Sequence, residues 1–377
     1  MNASDTPHAP VPRLPVFDVR AHDRAIAAEI DAAIRRTVAQ GWFVLGPEVE
    51  RFEAEFAAFL GGGFVVGVAS GTDALALALA VAGVGAGDTV LTVPNTAVPT
   101  ASAISAVGAR PVFVDIDPAT GLIDPSGIDA AVRPDTRAVI PVHLYGRAVP
   151  LAPIREAARR HGLVVVEDTA QAHGARWQGR AAGTAGDFGC FSFYPSKNLG
   201  AYGDGGAVWT ADAATAEALR RRRNYGQTER YVHDSVGVNS RLDELQAAIL
   251  RVKLRHLPAW NERRRELAAR YRRLLAPLPL TLPAEAAAEE HVHHLFTVRV
   301  KERDRVRAAL EARGIQTQIH YPIPIHLQGA YRDLGYSRGA FPQAERWCDE
   351  TLSLPFSPVL GENDLQRVAH ALGEALR

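Results

Sequence analysis

Lysine is scarce in this chain. Of its 42 basic residues 39 are arginine, and the three lysines are Lys197, Lys253 and Lys301. A sequence that spends arginine on ordinary surface charge keeps lysine where an amine is needed as an amine. Lysine loses its proton when desolvated, forms Schiff bases and carries protons, and arginine does not. Lys197 lies in Phe191-Ser192-Phe193-Tyr194-Pro195-Ser196-Lys197-Asn198-Leu199-Gly200, after an apolar run and between Pro195 and Gly200, off any charged helix face. Asp168 closes Val164-Val165-Val166-Glu167. An ionised carboxylate there can hold a protonated ring nitrogen. Ser70-Gly71-Thr72-Asp73 stands between a strand and a helix. The free N–H groups and partial positive charge of a helix start hold phosphate, Gly71 permits close backbone approach, and Thr72 adds a hydroxyl. No Gly-Lys-Ser/Thr follows, so this is not a P-loop. Each segment has a plainer explanation taken alone: a solvated loop lysine, and helix caps at Asp168 and at Ser70, Thr72 or Asp73. Together they are the parts of a pyridoxal phosphate site, namely a Schiff-base lysine, an acid for the pyridinium nitrogen and a phosphate cradle.

Other segments carry weaker signals. Tyr202-Gly203-Asp204-Gly205-Gly206 lets backbone approach Lys197 or a ligand. Gly237-Val238-Asn239-Ser240-Arg241-Leu242-Asp243 enters a helix, and Asn239 or Ser240 is expected to cap it. Arg220-Arg221-Arg222-Arg223 reads as a solvated helix end, with a diphosphate as the alternative partner. His291, His293 and His294 lead into a strand with no Cys or carboxylate at ligand spacing, so no metal is expected. Cys190, in an apolar strand, reads as a small core residue. With Cys348 it makes one possible pair, which is neither a secreted disulfide framework nor a zinc site.

The elements that must position these groups follow from periodicity. Ile26, Ile30, Ile34 and Val38 recur every four residues, and Val49, Phe52, Phe56 and Phe59 mark a second helix ended by Gly61-Gly62-Gly63. Apolar strands then alternate with helices: strands at 64–68, 90–93, 112–114, 138–142, 163–166, 188–192 and 207–210, helices at 74–81, 100–107 and 151–161. Near-continuous apolar strands in such alternation predict a mostly parallel sheet covered on both faces by helices, with ligand sites at the strands' carboxyl ends. Leu242, Leu245, Ile249 and Val252 give a further helix, which Pro258 is expected to interrupt. Beyond it a charged helix (260–275), a strand (294–300) and helices at 303–313 and 365–376 suggest a smaller α+β domain. The expected organisation is an N-terminal arm (1–23, of which 1–15, with Pro7, Pro10, Pro12 and Pro15, is extended and partly mobile), a large domain (24–257) and a small domain (258–377).

At 377 residues, 47 % hydrophobic and 22 % charged, the chain can build sizeable cores and is not disordered as a whole. Its 42 basic and 42 acidic residues cancel, which argues against a nucleic-acid partner. The longest apolar run, Ala74 to Gly87, is too short for a membrane span. No signal peptide is visible, and the cytoplasm is the expected location.

Seven ordered segments give the chain a family resemblance. They are Ser-Gly-Thr-Asp-Ala-Leu at 70–75, Pro-Val-His-Leu-Tyr-Gly at 141–146, Glu-Asp-Thr-Ala-Gln-Ala-His-Gly-Ala at 167–175, the Lys197 segment at 191–200, Gly-Asp-Gly-Gly-Ala at 203–207, Asn-Ser-Arg-Leu-Asp-Glu-Leu-Gln-Ala-Ala at 239–248 and Ile-His-Tyr-Pro-Ile-Pro at 319–324. From about residue 14 to the end it resembles the DegT/DnrJ/EryC1 group, fold-type-I pyridoxal phosphate aminotransferases acting on nucleotide-linked keto sugars. The resemblance implies that Lys197 forms the Schiff base, Asp168 pairs with the pyridine nitrogen and Gln171 lies near the ring hydroxyl. It implies that Gly71, Thr72 and Ser192 bind phosphate, with Asn239 reaching it from the neighbouring subunit of a homodimer with shared active sites. Tyr194, His320 and Tyr321 are expected to line the sugar site. The implied reaction is ping-pong, from L-glutamate through pyridoxamine phosphate to the keto sugar. The run after the lysine, with His-Tyr-Pro, looks most like members that aminate C3 of a dTDP-3-keto-6-deoxyhexose. The alternatives are a 4-keto sugar or a UDP-linked 3-keto uronate, and from another class a non-catalytic, ligand-sensing regulator on the same fold. A 3-dehydrase relative uses His where this chain has Lys197. The chain departs from the pattern at Ala97, where many members place an aromatic that stacks on the pyridine ring, and at Thr169, where Ala is usual.

Overall fold

The computed structural model describes residues 13–287 and 290–377. Seven strands form the central sheet: β1 (Phe64–Val68), β2 (Thr89–Thr92), β3 (Arg110–Phe113), β4 (Thr136–Val139), β5 (Val164–Asp168) and, after a short hairpin of β6 (Arg176–Trp177) and β7 (Arg180–Ala181), β8 (Phe188–Ser192) and β9 (Gly206–Thr210). Their order is β1-β9-β8-β5-β4-β2-β3. β9 runs against both its neighbours, and the other neighbouring pairs are parallel.

Alternation along the strands assigns the faces. Val66, Cys190 and Val208 pack with the helices Gly71–Val81, Val98–Ala106 and Ala213–Arg222. Their neighbours Val65, Phe191, Ala207 and Trp209 point the other way, onto Phe52 and Phe56 of the helix Pro47–Leu60 and onto Ala247, Leu250, Leu254 and Leu257. With both faces covered, β2 and β9 are buried throughout, and their apolar residues Val90, Leu91, Ala207, Val208 and Trp209 stand next to one another instead of alternating with exposed polar ones. β1, β5 and β8 point the same way, so Val68, Asp168 and Ser192 end at one edge, where β9 begins.

The sequence predicts a break at Pro258, and the structure has none. One helix runs Glu244–Leu275, 32 residues with Pro258 inside. A mid-helix proline deletes one backbone hydrogen bond and costs about 3 kcal/mol. Packing on both sides offsets it: Leu254 and Leu257 belong to the sheet core, and Leu267, Ala268, Tyr271 and Leu275 to a second core. Pro258 itself is exposed. Pro258→Ala is therefore expected to stabilise the protein by about 1–3 kcal/mol, read as a higher thermal midpoint; an unchanged or lower midpoint contradicts this account.

The second core adds an antiparallel pair, β12 (Phe296–Arg299) with β13 (Thr351–Leu354), and the helices Arg303–Glu311 and Glu362–Ala375. A further hairpin, β10 (Gln227–Glu229) with β11 (Val232–His233), stands exposed. Residues 325–347 leave the second core: Ile325, Tyr331, Phe341 and Trp347 pack with Phe113 and Val114 on the sheet.

The expected mobile arm is fastened where it is described. Leu14 pairs with Ile315 and is buried in the second core, and Val16 O accepts from Phe356 N at 3.0 Å. The extended stretch with Pro7, Pro10 and Pro12 lies outside the described residues. Among the described residues no helix is long and apolar enough to cross a membrane.

Candidate active site

A cavity of about 340 Å³ opens at the shared strand edge. Its walls include Gly71, Thr72, Ala97, Asp168, Gln171, Ser192, Tyr194, Lys197 and Asp204. Of the ten expected site residues, seven meet here. His320 and Tyr321 stand behind its wall, and Asn239 is elsewhere.

The phosphate cradle is built by capping. Ser70 Oγ accepts from Asp73 N at 3.1 Å and Ser70 O from Ala74 N at 3.0 Å. The cap reading of Ser70 is thus correct, and it leaves the Gly71 and Thr72 N–H groups without a partner among the described residues. A Cβ on Gly71 would stand 2.5 Å from Ser192 Cβ, and one on Gly206 2.3 Å from Ser70 O. Only glycine lets the helix start, β8 and β9 converge this closely. Two unspent N–H groups at a helix start beside the Ser192 hydroxyl suit a phosphate.

Lys197 follows β8 on a turn, its N–H bonded to Tyr194 O at 2.8 Å. Burial pushes its ammonium down to about 8, and the Asp168 charge pulls the other way. The amine is thus free in part near neutrality and mostly free above pH 8. In the protein without cofactor, acylation of Lys197 is expected to rise through pH 8, since below that value the amine is protonated and unreactive. A peptide map of labelling against pH checks this, and a midpoint near 10.5 overturns it.

Asp168 is buried at the end of β5, fixed by Asp168 N to Pro141 O (2.9 Å) and His143 N to Asp168 O (3.0 Å). Thr100 Oγ1 donates to its Oδ2 at 2.8 Å, and Ala170 N to its Oδ1 at 3.2 Å. The turn-cap reading and the carboxylate reading therefore coexist. Burial raises its pKa, against the pull of Thr100, Ala170 and Lys197. A cationic ring nitrogen would reverse that shift.

Beneath it lies a support. Val149 N donates to His143 Nδ1 at 2.9 Å, so Nε2–H donates to Glu167 Oε2 at 2.8 Å. Gly183, Ala185 and Gly186 N–H groups complete the Glu167 shell at 2.6–2.8 Å. Burial raises the Glu167 carboxyl, but these donors outweigh it and hold it below its usual range.

Gln171 Oε1 accepts from Tyr145 N at 2.6 Å and its Nε2 donates to the Tyr321 hydroxyl at 2.9 Å. The Tyr321 oxygen accepts there and keeps its own proton to donate. Tyr145 has φ 59°, its hydroxyl donates to His320 O, and it accepts from Trp347 Nε1 at 3.2 Å. The His320 ring is turned to Ser353 Oγ at 2.8 Å, and burial pushes it down to about 4.

Two expectations need correction, the cap of the long helix and the solvation of Arg223. Neither Asn239 nor Ser240 caps the long helix, whose N-cap is Asp243. Ser240 Oγ instead donates to Asp73 Oδ2 at 2.7 Å and accepts from Ala69 N at 3.0 Å, tying this strip to the cradle helix. Asn239 is exposed and bridges Asn224. Of the arginine run, Arg220 and Arg221 form the expected solvated helix end and pair with Glu217, while Arg223 is buried and reaches Glu53 and Gly67 O. His291 and His293 stack at 3.8 Å, and both cysteines are free and buried. Sequence reasoning missed Thr96 and Thr100. Their spacing of four is visible, but the carboxylate they face is 68 residues from Thr100.

A family model described as the DegT/DnrJ/EryC1/StrS aminotransferase family matches residues 24–373. The chain is 49 % identical over 367 residues to dTDP-3-amino-3,4,6-trideoxy-alpha-D-glucose transaminase of Streptomyces venezuelae, covering 97 % of each chain. It is 45 % identical over 363 residues to a UDP-N-acetyl-3-dehydro-alpha-D-glucosamine 3-aminotransferase of Acidithiobacillus ferrooxidans, covering 96 % of this chain and 98 % of that one. The solved structure of S. venezuelae DesV in complex with a ketimine intermediate superposes with a TM-score of 0.94 at 49 % identity, covering 97 % of this chain and 99 % of that chain.

Proposed function

This chain belongs to the DegT/DnrJ/EryC1/StrS aminotransferase family, and we propose from that premise that it transfers an amino group from L-glutamate to C3 of a dTDP-linked 3-keto-6-deoxyhexose, using pyridoxal phosphate. The observation that carries the reading is the single cavity that holds a depressed lysine amine, a buried carboxylate and two unspent helix N–H groups. That donor set fits the cofactor: an amine for its aldehyde, an acid for its ring nitrogen and a cradle for its phosphate. The C3 choice rests on the likeness to the dTDP-3-amino sugar transaminase. The cavity supports an enzyme over a sensor, because Lys197 is present with its basicity tuned.

Pyridoxal phosphate, when bound, supplies a carbonyl carbon that accepts the amino group and a ring that draws off electron density. Lys197 would hold it through its amine and, when free, would move a proton at the substrate carbon, first as base and then as acid. Asp168 would hold the ring nitrogen in its protonated form. Gly71, Thr72 and Ser192 would hold the phosphate, and Gln171 would meet the ring oxygen. Tyr194 and the Tyr321 proton face the sugar side, with His320 behind them. The partner subunit's Asn239 completes the phosphate site in a homodimer, a role that suits the exposure of this residue in a single chain. The cytoplasm is the proposed location.

The test is the visible spectrum of the protein with pyridoxal phosphate, before and after L-glutamate, followed by a panel of nucleotide-linked keto sugars. The expected result is a cofactor band discharged by glutamate and restored by a dTDP-3-keto-6-deoxyhexose. Restoration by a UDP-linked 3-keto or a 4-keto sugar alone moves the substrate assignment. A band that no amino donor discharges leaves a ligand sensor.

A further inference from the structure

Asp168 is served by a relay of two hydroxyls. Thr100 Oγ1 lies 2.8 Å from Asp168 Oδ2, and Thr96 Oγ1 lies 3.0 Å from Thr100 Oγ1. Both threonines are buried, at 0 % and 2 % exposure. The direction of the protons follows from chemistry. An ionised carboxylate only accepts, so Thr100 donates to it; Thr100 then accepts from Thr96 with its lone pair. Both hydroxyl dipoles therefore point at Asp168. The other oxygen takes the Ala170 N–H. One donor on each oxygen fixes the plane of the carboxylate and leaves its remaining lone pairs to the cavity.

We propose that Thr100, backed by Thr96, is a positioning residue that keeps Asp168 ionised and oriented toward the cofactor ring nitrogen, and so sets how fully that nitrogen is protonated. The inference rests on the cofactor reading above. The scaffold is suited to it. Thr100 sits in the first turn of the helix Val98–Ala106, closed by Thr100 N to Ala97 O at 3.1 Å, and Ala103 and Ile104 anchor that helix in the core. The groups that face Asp168 from other elements are Lys197 after β8, Cys190 on β8, His143 after β4, and Tyr321. Burial works against the charged carboxyl, and Thr100 is foremost among the groups that oppose it. A charge-assisted hydrogen bond in such a dry place is stronger than its neutral counterpart.

The test uses the full chain loaded with pyridoxal phosphate labelled with ¹⁵N in the ring. Thr100→Val keeps the shape and removes the donor. The expected result is a ring-nitrogen shift displaced toward neutral pyridine, cofactor held several-fold more weakly, and kcat down roughly tenfold with KM for the sugar unchanged. Thr100→Ser restores all three. Thr96→Val, which leaves the Asp168 contact intact, gives a smaller displacement in the same direction. A fully protonated nitrogen in both valine variants overturns the inference, even if kcat falls, since that pattern describes packing alone. Should Thr100→Val not fold, Thr96→Val against Thr100→Ser decides on the same shift. A wild type whose ring nitrogen never protonates, or that takes no cofactor, defeats the cofactor reading instead.

Discussion

Lys197→Ala lowers turnover of keto sugar with L-glutamate by about 10⁴-fold or more, while circular dichroism and thermal midpoint stay near wild type. The residue is asked for two things, a covalent attachment and a proton carried at the substrate carbon, and the second alone is worth about 10²–10⁴-fold. No other lysine stands in reserve: Lys253 is buried against Asp23 at 2.7 Å, and Lys301 does not line the cavity. Lys197→Arg fares no better, because a guanidinium does not give up its proton. The fold tolerates the loss, since Lys197 contributes a backbone bond to the turn and its side chain faces a cavity. Turnover within tenfold of wild type in either variant would remove Lys197 from the reaction.

Asp168→Asn lowers kcat by about 10²–10³-fold at saturating cofactor, the range for removing one preorganised charge. The amide fills the same space; its one oxygen can serve the Ala170 N–H, and the Thr100 hydroxyl can turn to accept from the amide N–H. The negative charge that would hold a protonated ring nitrogen is gone. The spectrum of the bound cofactor should change, with KM for the sugar little affected. A normal kcat in this variant contradicts the pairing of Asp168 with the ring.

The cavity was readable in outline because its parts close strands. Asp168, Ser192 and Ser70 each follow an apolar run, and parallel strands bring their ends to one edge whatever the intervening sequence. Thr100 carries no such mark. Its partner lies across the sheet edge, and nothing local distinguishes a helix threonine that serves a carboxylate from one that does not. The Pro258 break failed for a related reason: proline reports a local cost, and the apolar residues of two cores outweighed it. Leu14 and residues 325–347 were equally opaque, since a short apolar run does not say which core will take it.

The helix Glu244–Leu275 is a beam about 48 Å long, at 1.5 Å per residue. One end is set into the sheet core and the other into the second core, with Asn261 and Arg264 buried between them. Neither lobe can melt without freeing half of the other's beam. The lobes therefore share a single heat-absorption peak in calorimetry. A ligand that grips only the sheet edge raises that whole peak, carrying the distant β12–β13 lobe up in temperature with it.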